Sequence, residues 1–193
     1  MGLKQTKYAF RAKGQSSHKE DRIWMSPDFG VAKSYAMFMK EPYIMIYDIS
    51  DLKLIIDDGE EYKKYDAYFS DINKDMQYER NDKRRLKDPN FKKEEEKVHT
   101  NIEDAKEKGY DGILYQANYK TAKRKHNDTE IHIWQNTPQP IHTFEYPQDG
   151  KWTSHKAEML LQCGAKKDDV KIQESRIPTL DEFINEMREY ESK

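Results

Sequence analysis

The sequence is poor in the residues that make covalent cross-links and long apolar segments. Cys163 is the single cysteine among 193 residues, which excludes an intramolecular disulfide framework and a multi-cysteine zinc site. No segment approaches a run of roughly 18 apolar residues, so we expect no membrane-spanning helix and no membrane partner. The six histidines show no HExxH or other paired ligand spacing, so we expect no metal site. These absences predict a protein that is made and used in a cytoplasm.

Aliphatic residues are also scarce, and neither sign of charge is in excess. Leu, Ile, Val and Phe make up about 17% of the chain, a level at which a high net charge would indicate disorder. The formal net charge is only −2, and 13 Tyr, 8 Met and 3 Trp supply further apolar surface. We therefore predict a folded domain with a thin, aromatic-rich core. The balanced charge argues against a protein that coats polyanions.

Short apolar runs that end at turn residues predict the β-strands. In the first run, residues 7–12, Tyr8, Phe10 and Ala12 share one face and Arg11 lies on the other. The remaining strands are predicted from the same kind of pattern. They cover residues 23–25, 43–49, 53–56, 110–115, 129–135, 141–146 and 170–172.

Capping signals mark the predicted helices. Ser26 precedes a proline and an acid, as an N-cap residue does, so we predict a helix from Ser26 to about Met39. Thr100 and Glu103 have the spacing of a capping box, so a helix is expected to begin there and to end at Gly109. Further helices are predicted at residues 60–69, 92–98, 152–163 and from 179 onwards.

The strands and the charged residues are unevenly distributed along the chain. Residues 1–150 hold nearly all predicted strands, and within them residues 57–99 form a charged insertion that is dense in tyrosine. Residues 151–193 are predicted to form a C-terminal helical extension, because they carry a second capping pattern and an amphipathic segment. The sequence therefore predicts a mixed α+β fold, one sheet domain with two polar additions.

Two predicted strands carry a lone charged residue opposite their apolar face. Arg11 lies opposite Phe10 in the first strand, and Glu130 lies opposite Ile131 and Ile133 in a later one. Each charge alone is typical of the solvent face of a half-covered sheet. Between the two strands the chain has a segment that ends at Ser26, an alanine- and tyrosine-bearing helix, and a Gly-Tyr-Asp-Gly run.

This order of motifs resembles the mono-ADP-ribosyltransferase superfamily, especially its small bacterial and phage toxin-like members. Those proteins show an aromatic-x-Arg strand, a Trp/Phe-x-Ser segment before an Ala-x-x-Tyr-Ala helix, a Gly-Tyr-Asp-Gly-Ile strand and a strand with a glutamate before an apolar-aromatic run. The resemblance covers about residues 7–146. The motifs stand here as Phe10-Arg11, Trp24-Met25-Ser26, residues 32–36, residues 109–113 and residues 130–134.

The resemblance implies an NAD-cleaving enzyme with two perpendicular sheets and NAD, as substrate, in the cleft between them. The family's Arg–Ser–Glu triad corresponds to Arg11, Ser26 and Glu130. An arginine fork suits an NAD phosphate, because it is bidentate and permanently charged. Ser26 would bond the nicotinamide ribose and hold the glutamate. Glu130 would accept from a ribose hydroxyl and stabilise the charge that develops as nicotinamide departs.

Residues beside the triad are implied as further NAD contacts. The implied set is Arg11, Ala12, Ser26, Phe29 and Tyr35, in which Tyr35 or Phe29 stacks against the nicotinamide ring. Core packing is an equal alternative for Tyr35.

Two features near Glu130 bear on the catalytic glutamate and on the acceptor. Glu145 is a rival, and Glu130 is preferred because its strand follows the Gly-Tyr-Asp-Gly strand after one loop. Asp128 stands where arginine-modifying members have a second glutamate, which argues against arginine as the modified residue. A loop at residues 120–127 lies where the family often recognises its target, and its cations favour an acidic or nucleic-acid target, although a solvated loop fits equally well. The cations are Lys120, Lys123, Arg124 and Lys125.

The resemblance thus implies a glycosyltransferase that moves ADP-ribose from NAD to a macromolecule, either protein or nucleic acid, and releases nicotinamide. From the resemblance we expect a phage or bacterial effector. An NAD glycohydrolase on the same fold, with water as acceptor, is one alternative. A catalytically silent module that holds a ligand or partner in the same cleft is the other.

Overall fold

The computed structural model describes residues 3–14, 23–56, 89–120 and 125–173. Within these residues the expected mixed α+β fold is confirmed, with three helices and three sheets, none of which closes on itself. The helices are α1 (Phe29–Ala36), α2 (Pro89–Glu107) and α3 (Ser154–Gln162). The strands are β1 (Tyr8–Lys13), β2 (Ile23–Met25), β3 (Tyr43–Asp48), β4 (Leu54–Ile56), β5 (Gly112–Lys120), β6 (Lys125–Ile133), β7 (Pro140–Glu145), β8 (Lys151–Trp152) and β9 (Lys171–Ile172).

The strands pair in a pattern that places β3 in the middle of the first sheet. The first sheet has the order β1-β3-β7 and is antiparallel throughout. The second has the order β2-β6-β5-β4, in which β4 runs parallel to β5 and the other pairs are antiparallel. β8 and β9 form a small parallel pair. The predicted central place of β3 is therefore confirmed.

Two apolar cores lie on the two faces of the first sheet. The helix-side core joins Phe10, Ile44 and Ile46 to α1 and α3, and Trp152 fills its centre. The inter-sheet core, on the other face, joins Ala9 and neighbouring side chains to the second sheet. The predicted alternation of β1 is confirmed, because Phe10 and Ala9 lie on opposite faces. The inter-sheet core consists of Ala9, Met25, Tyr47, Ile49, Leu54, Leu114, Ile131 and Ile133.

Residues 151–173 contribute to the helix-side core. Trp152 is 1% exposed and meets the rings of Phe29 and Phe144 edge-on, each with its centroid 6.2 Å away. Leu160 of α3 is fully buried in the same core. Burial of each such side chain contributes about 1.5–3 kcal/mol. The described part of the predicted C-terminal extension therefore packs as part of the sheet domain.

The predicted start of α1 at Ser26 is wrong by two residues. Asp28 is the N-cap, with φ −100° and ψ 116°, and its carboxylate accepts a hydrogen bond of 2.8 Å from the backbone N–H of Gly30. Ser26 stays extended because its backbone N–H and C=O are both bonded to Phe10. The helix ends at Ala36, with Met37 as C-cap, rather than near Met39.

The capping box predicted at Thr100 is also wrong, because α2 is one helix that begins at Pro89. The Thr100 hydroxyl bonds the carbonyl of Glu96 at 2.9 Å, one turn earlier, as threonine does inside a helix. The predicted end is confirmed. Gly109 has φ 77° and donates to Lys106 at 2.8 Å, while Tyr110 donates to Ala105 at 3.0 Å, which is the Schellman pattern.

The loop predicted at residues 120–127 is largely strand. β5 runs to Lys120 and β6 begins at Lys125, and these two residues are partners in the antiparallel ladder. The backbone hydrogen bonds of this ladder hold the residues in strands, although their composition is typical of a loop. Residues 121–124, the helix expected at 60–69 and the helix expected from 179 lie outside the described residues. None of the three helices that the structure describes is both long enough and apolar enough to cross a membrane.

Candidate active site

Ser26 joins three elements at the point where the first two sheets meet. Its backbone exchanges hydrogen bonds of 2.7 and 2.8 Å with Phe10 of β1. Its hydroxyl donates to the carbonyl of Thr129 in β6 at 2.7 Å and accepts from the N–H of Asp28 at 3.0 Å. The side chain is nearly buried, and both hydrogen-bonding functions of the hydroxyl are used. Ser26 therefore fixes β1, β6 and the start of α1 relative to one another.

The pairing of β2 with β6 brings the end of β2 close to Glu130. In that ladder Trp24 is opposite His132 and Met25 is opposite Ile131, and Ser26, which follows β2, bonds the carbonyl of Thr129, the residue before Glu130. Side chains alternate between the faces of a sheet, so Trp24 shares a face with Glu130 and His132. We call this side of the second sheet the polar face.

A hydrogen-bonded cluster surrounds the Glu130 carboxylate on the polar face. The Tyr115 hydroxyl donates to Glu130 Oε2 at 2.8 Å, from the position directly opposite Glu130 in β5. His132 Nε2 lies 3.0 Å from the Tyr115 hydroxyl and 3.4 Å from Glu130 Oε2. Tyr115, Glu130 and His132, which we call the carboxylate cluster, are 2%, 3% and 0% exposed. A carboxylate buried to this extent is tolerated only with such partners.

The indole of Trp24 covers the cluster from β2. Its ring centroid lies 3.6 Å from that of His132, with an interplanar angle of 44°. The Tyr115 ring meets the imidazole edge-on, with a centroid distance of 5.0 Å. The imidazole of His132 therefore contacts two aromatic rings.

Arg11 follows Phe10, whose backbone bonds Ser26, but the Arg11 side chain points to the inter-sheet side of β1. It follows Phe10 in the strand, so it lies on the face of Ala9. Its guanidinium lies by Tyr47: burial raises the pKa of that phenol, and the charge of Arg11 and its hydrogen bond oppose the rise. The structure thus brings the Ser26 hydroxyl to the residue before Glu130, but it does not bring the Arg11 guanidinium to the polar face.

The residues expected to stack on nicotinamide differ in exposure. Phe29 is 1% exposed and packs edge-on against Phe10 at 5.5 Å, so its ring belongs to the helix-side core. Ala12 packs against the same core. Tyr35 is 44% exposed, so core packing, its alternative role, is wrong.

Glu145, the rival glutamate, lies far from Ser26 in the topology. It ends β7, an edge strand of the first sheet, opposite Tyr43, and it is exposed. β3 separates β7 from β1. Of the two candidate glutamates, Glu130 is the one on a strand bonded to Ser26.

The Gly-Tyr-Asp-Gly run positions β5 and β6 rather than contributing side chains to the cluster. The buried Asp111 carboxylate accepts from the Lys53 N–H at 2.8 Å and from Asn136 Nδ2 at 2.6 Å. At Gly112 the chain passes so close to the carbonyl of His132 that a Cβ would overlap it. The glycine is needed for this close approach, which sets the register of His132 against β5.

Two members of the carboxylate cluster, Tyr115 and His132, are absent from the sequence predictions. His132 could have been found, because it lies two residues after Glu130 in a predicted strand and so shares its face. Tyr115 could not, because its place opposite Glu130 depends on the register of β5 against β6. Among the residues that the structure describes, no three His, Cys, Asp or Glu side chains are grouped as metal ligands would be.

The sequence matches no protein-family model and no curated protein, and the structure matches no solved structure.

Proposed function

We propose that the chain is a mono-ADP-ribosyltransferase that cleaves NAD at the junction of Ser26 and Glu130. One observation carries the proposal: the Ser26 hydroxyl bonds β6 at Thr129, one residue before Glu130 and 103 residues away in the sequence. Together with the Phe10–Ser26 bridge, this bond joins three motifs that are far apart along the chain. An Arg–Ser–Glu site requires this convergence, which local sequence patterns do not guarantee.

The chemistry assigned to Glu130 follows from its charge and its surroundings. The bond between C1′ of the nicotinamide ribose and the ring nitrogen breaks, and its electron pair leaves with neutral nicotinamide. Positive charge then develops on the ribose, and the Glu130 carboxylate stabilises it while accepting from a ribose hydroxyl. A nucleophile on the acceptor forms the new bond to C1′ and releases its proton to solvent. A low local dielectric strengthens the effect of the carboxylate.

Arg11 and Tyr35 are the proposed contacts for the rest of the dinucleotide. Because Arg11 points to the inter-sheet side, its guanidinium must leave Tyr47 to reach a ligand that is bound at Glu130. The Arg11 guanidinium suits a phosphate of NAD, because it offers a planar fork of donors with a permanent charge. Tyr35 is the exposed aromatic ring of α1, and it provides the stacking surface that the buried ring of Phe29 does not.

The resemblance implies that NAD binds between the first two sheets. We propose that it binds at their junction instead. The facing sides of those sheets pack directly on one another through the inter-sheet core. Glu130 points to the opposite side from Ile131, which belongs to that core. The ribose therefore reaches Glu130 on the polar face. Because the carboxylate is 3% exposed, a covering side chain must move for this contact to form.

The test is nicotinamide release from NAD by the purified protein, measured by chromatography. Glu130→Gln is the matched variant, because it keeps the size and an oxygen that can accept from Tyr115, while it removes the charge and replaces the other oxygen with an NH2 donor. We expect release by the wild type, loss of release in Glu130→Gln and Arg11→Ala, and full release in Glu145→Gln. Absence of nicotinamide release by the wild type would contradict the proposal.

An NAD glycohydrolase is the second candidate, and the enclosure of Glu130 is the observation that favours it. A carboxylate with 3% exposure admits water more readily than a macromolecular nucleophile. Labelled NAD incubated with a bacterial lysate distinguishes the two activities. Label in protein or nucleic acid identifies a transferase and its acceptor class, whereas label only in free ADP-ribose identifies a glycohydrolase.

A further inference from the structure

The number of hydrogens available in the carboxylate cluster determines which group donates in each of its hydrogen bonds. A tyrosine hydroxyl carries one hydrogen, and that of Tyr115 is donated to Glu130 Oε2 at 2.8 Å. The 3.0 Å contact between the Tyr115 oxygen and His132 Nε2 is then a hydrogen bond only if Nε2 carries a proton. The direction is therefore from His132 Nε2–H to Tyr115, and from Tyr115 O–H to Glu130.

We propose that Tyr115 and His132 are positioning residues that fix the Glu130 carboxylate for reaction with the ribose. This inference rests on the proposed function for its catalytic part. Donation from Tyr115 fixes the torsion of the carboxyl group by binding Oε2. His132 in turn fixes the rotation of the Tyr115 hydroxyl, because it takes up the acceptor side of that oxygen.

The surrounding elements restrict each member of this chain. Tyr115 lies directly opposite Glu130 in the ladder of β5 and β6, so the backbone fixes the distance between the two side chains. The tilted ring of Trp24, whose centroid is 3.6 Å away, restricts rotation of the imidazole. All three members of the carboxylate cluster are at most 3% exposed, so water does not compete strongly for their hydrogen bonds. Correct orientation of a reacting group matters because small misplacements reduce rates by up to about a hundredfold.

A kinetic experiment separates positioning from a purely structural role. Tyr115→Phe removes only the hydroxyl, and we expect kcat for NAD cleavage to fall roughly 10- to 100-fold while KM changes little. His132→Gln keeps an amide donor near the position of Nε2, so it should retain more of kcat than His132→Leu does. Tyr146→Phe is the control, because it removes a tyrosine hydroxyl from the helix-side core and should leave kcat unchanged.

A spectroscopic experiment tests the hydrogen-bond chain without any substrate. In uniformly nitrogen-15-labelled protein, the His132 resonances should report a protonated Nε2, and Tyr115→Phe should shift them. Tyr146→Phe should leave them in place. Because this measurement needs only folded protein, it remains informative if a cluster variant proves too unstable for kinetics.

The outcomes distinguish the two proposals. A wild-type protein that does not cleave NAD contradicts the proposed function and with it the catalytic part of this inference. Wild-type activity together with an unchanged kcat in folded Tyr115→Phe contradicts positioning alone. An unprotonated Nε2 in the wild type overturns the chain itself. A lower kcat, a nearly constant KM and partial rescue by His132→Gln are the results we expect.

Discussion

The two faces of the second sheet are buried to the same degree but differ in chemistry. On one face, Ile131 and Ile133 of β6 are at most 1% exposed and belong to the inter-sheet core. On the other, Glu130 and His132 are at most 3% exposed and hydrogen-bond to Tyr115. Burial of apolar groups stabilises the fold, whereas burial of a carboxylate is costly without hydrogen bonds. The polar face also buries Ile55 and Ile113, which lie on the same side as Tyr115. The inter-sheet face is therefore apolar, whereas the polar face combines apolar packing with the carboxylate cluster.

The largest expected effect is on catalysis, at the centre of the polar face. Glu130→Gln should lower NAD cleavage roughly 100- to 1000-fold, because it removes the charge that stabilises the developing positive charge on the ribose. Thermal unfolding should show a protein as stable as the wild type, since the variant keeps its size and its hydrogen bond from Tyr115. A folded Glu130→Gln protein with wild-type turnover would contradict this assignment.

The next largest effect is on stability, at Ile131 of the inter-sheet core, the residue after Glu130. Ile131→Ala should lower the free energy of unfolding by about 2–5 kcal/mol, because it leaves a cavity between the two sheets. Denaturant titration measures this loss. At a temperature where the variant is folded, its KM for NAD should remain close to that of the wild type. If Glu130→Gln and Ile131→Ala affect stability equally, the proposed division between the two faces is wrong.

A substitution at Gly112 tests what holds β5 and β6 in register. Gly112→Ala places a Cβ against the carbonyl of His132, so β5 and β6 must separate. We expect a loss of stability of about 1–3 kcal/mol, comparable to overpacking in a core, and a change in the His132 resonances. Gly150→Ala is the contrasting control: its φ of 70° makes it strained, but it lies outside the second sheet and should leave those resonances unchanged.

Ser26 bonds β1 of the first sheet and β6 of the second. Removal of its hydroxyl should lower the free energy of unfolding by an intermediate amount. Ser26→Ala loses the bond to the Thr129 carbonyl and the bond from the Asp28 N–H, with an expected loss of about 1–3 kcal/mol. NAD cleavage should fall as well, because Glu130 follows Thr129 in β6. Unfolding and nicotinamide release are measured on the same preparation, and unchanged values of both would contradict the linking role.

The smallest effect lies outside the second sheet, at the start of α1. The Asp28 carboxylate contacts Lys166 Nζ at 2.8 Å, and this hydrogen bond raises the pKa of Lys166. A raised lysine pKa stabilises the fold below the unfolded pKa, and this contribution is lost as pH rises through the folded pKa. Lys166→Met should therefore cost at most about 0.5 kcal/mol at neutral pH, with no cost at pH values above both pKa values. Unfolding at two pH values measures the difference.

Local patterns predicted the features that depend on neighbouring residues. The alternation of β1 and β6 and the end of α2 at Gly109 follow from side-chain periodicity and from backbone preference. The start of α1 did not, because bonds from Ser26 to Phe10 and Thr129 hold Ser26 extended. The ladder between β5 and β6 likewise extends both strands into a stretch whose composition is that of a loop.

Motifs in the sequence named some residues of the candidate site, whereas strand register decides which other side chains surround them. Ser26 and Glu130 were both named, and the Ser26 hydroxyl bonds Thr129, the residue before Glu130. Phe29 was expected at the ligand, but its ring packs against Phe10 and Trp152 in the helix-side core. Tyr115 requires knowledge of which residue of β5 meets Glu130, and no local signal supplies it.

Nicotinamide release by wild-type protein and by Glu130→Gln, compared on the same folded preparations, tests the central claim most directly. The proposed site predicts rapid release by the wild type and almost none by the variant, with matching unfolding transitions. Equal release by both proteins, or no release by either, would contradict the assignment of the polar face as an NAD-cleaving site.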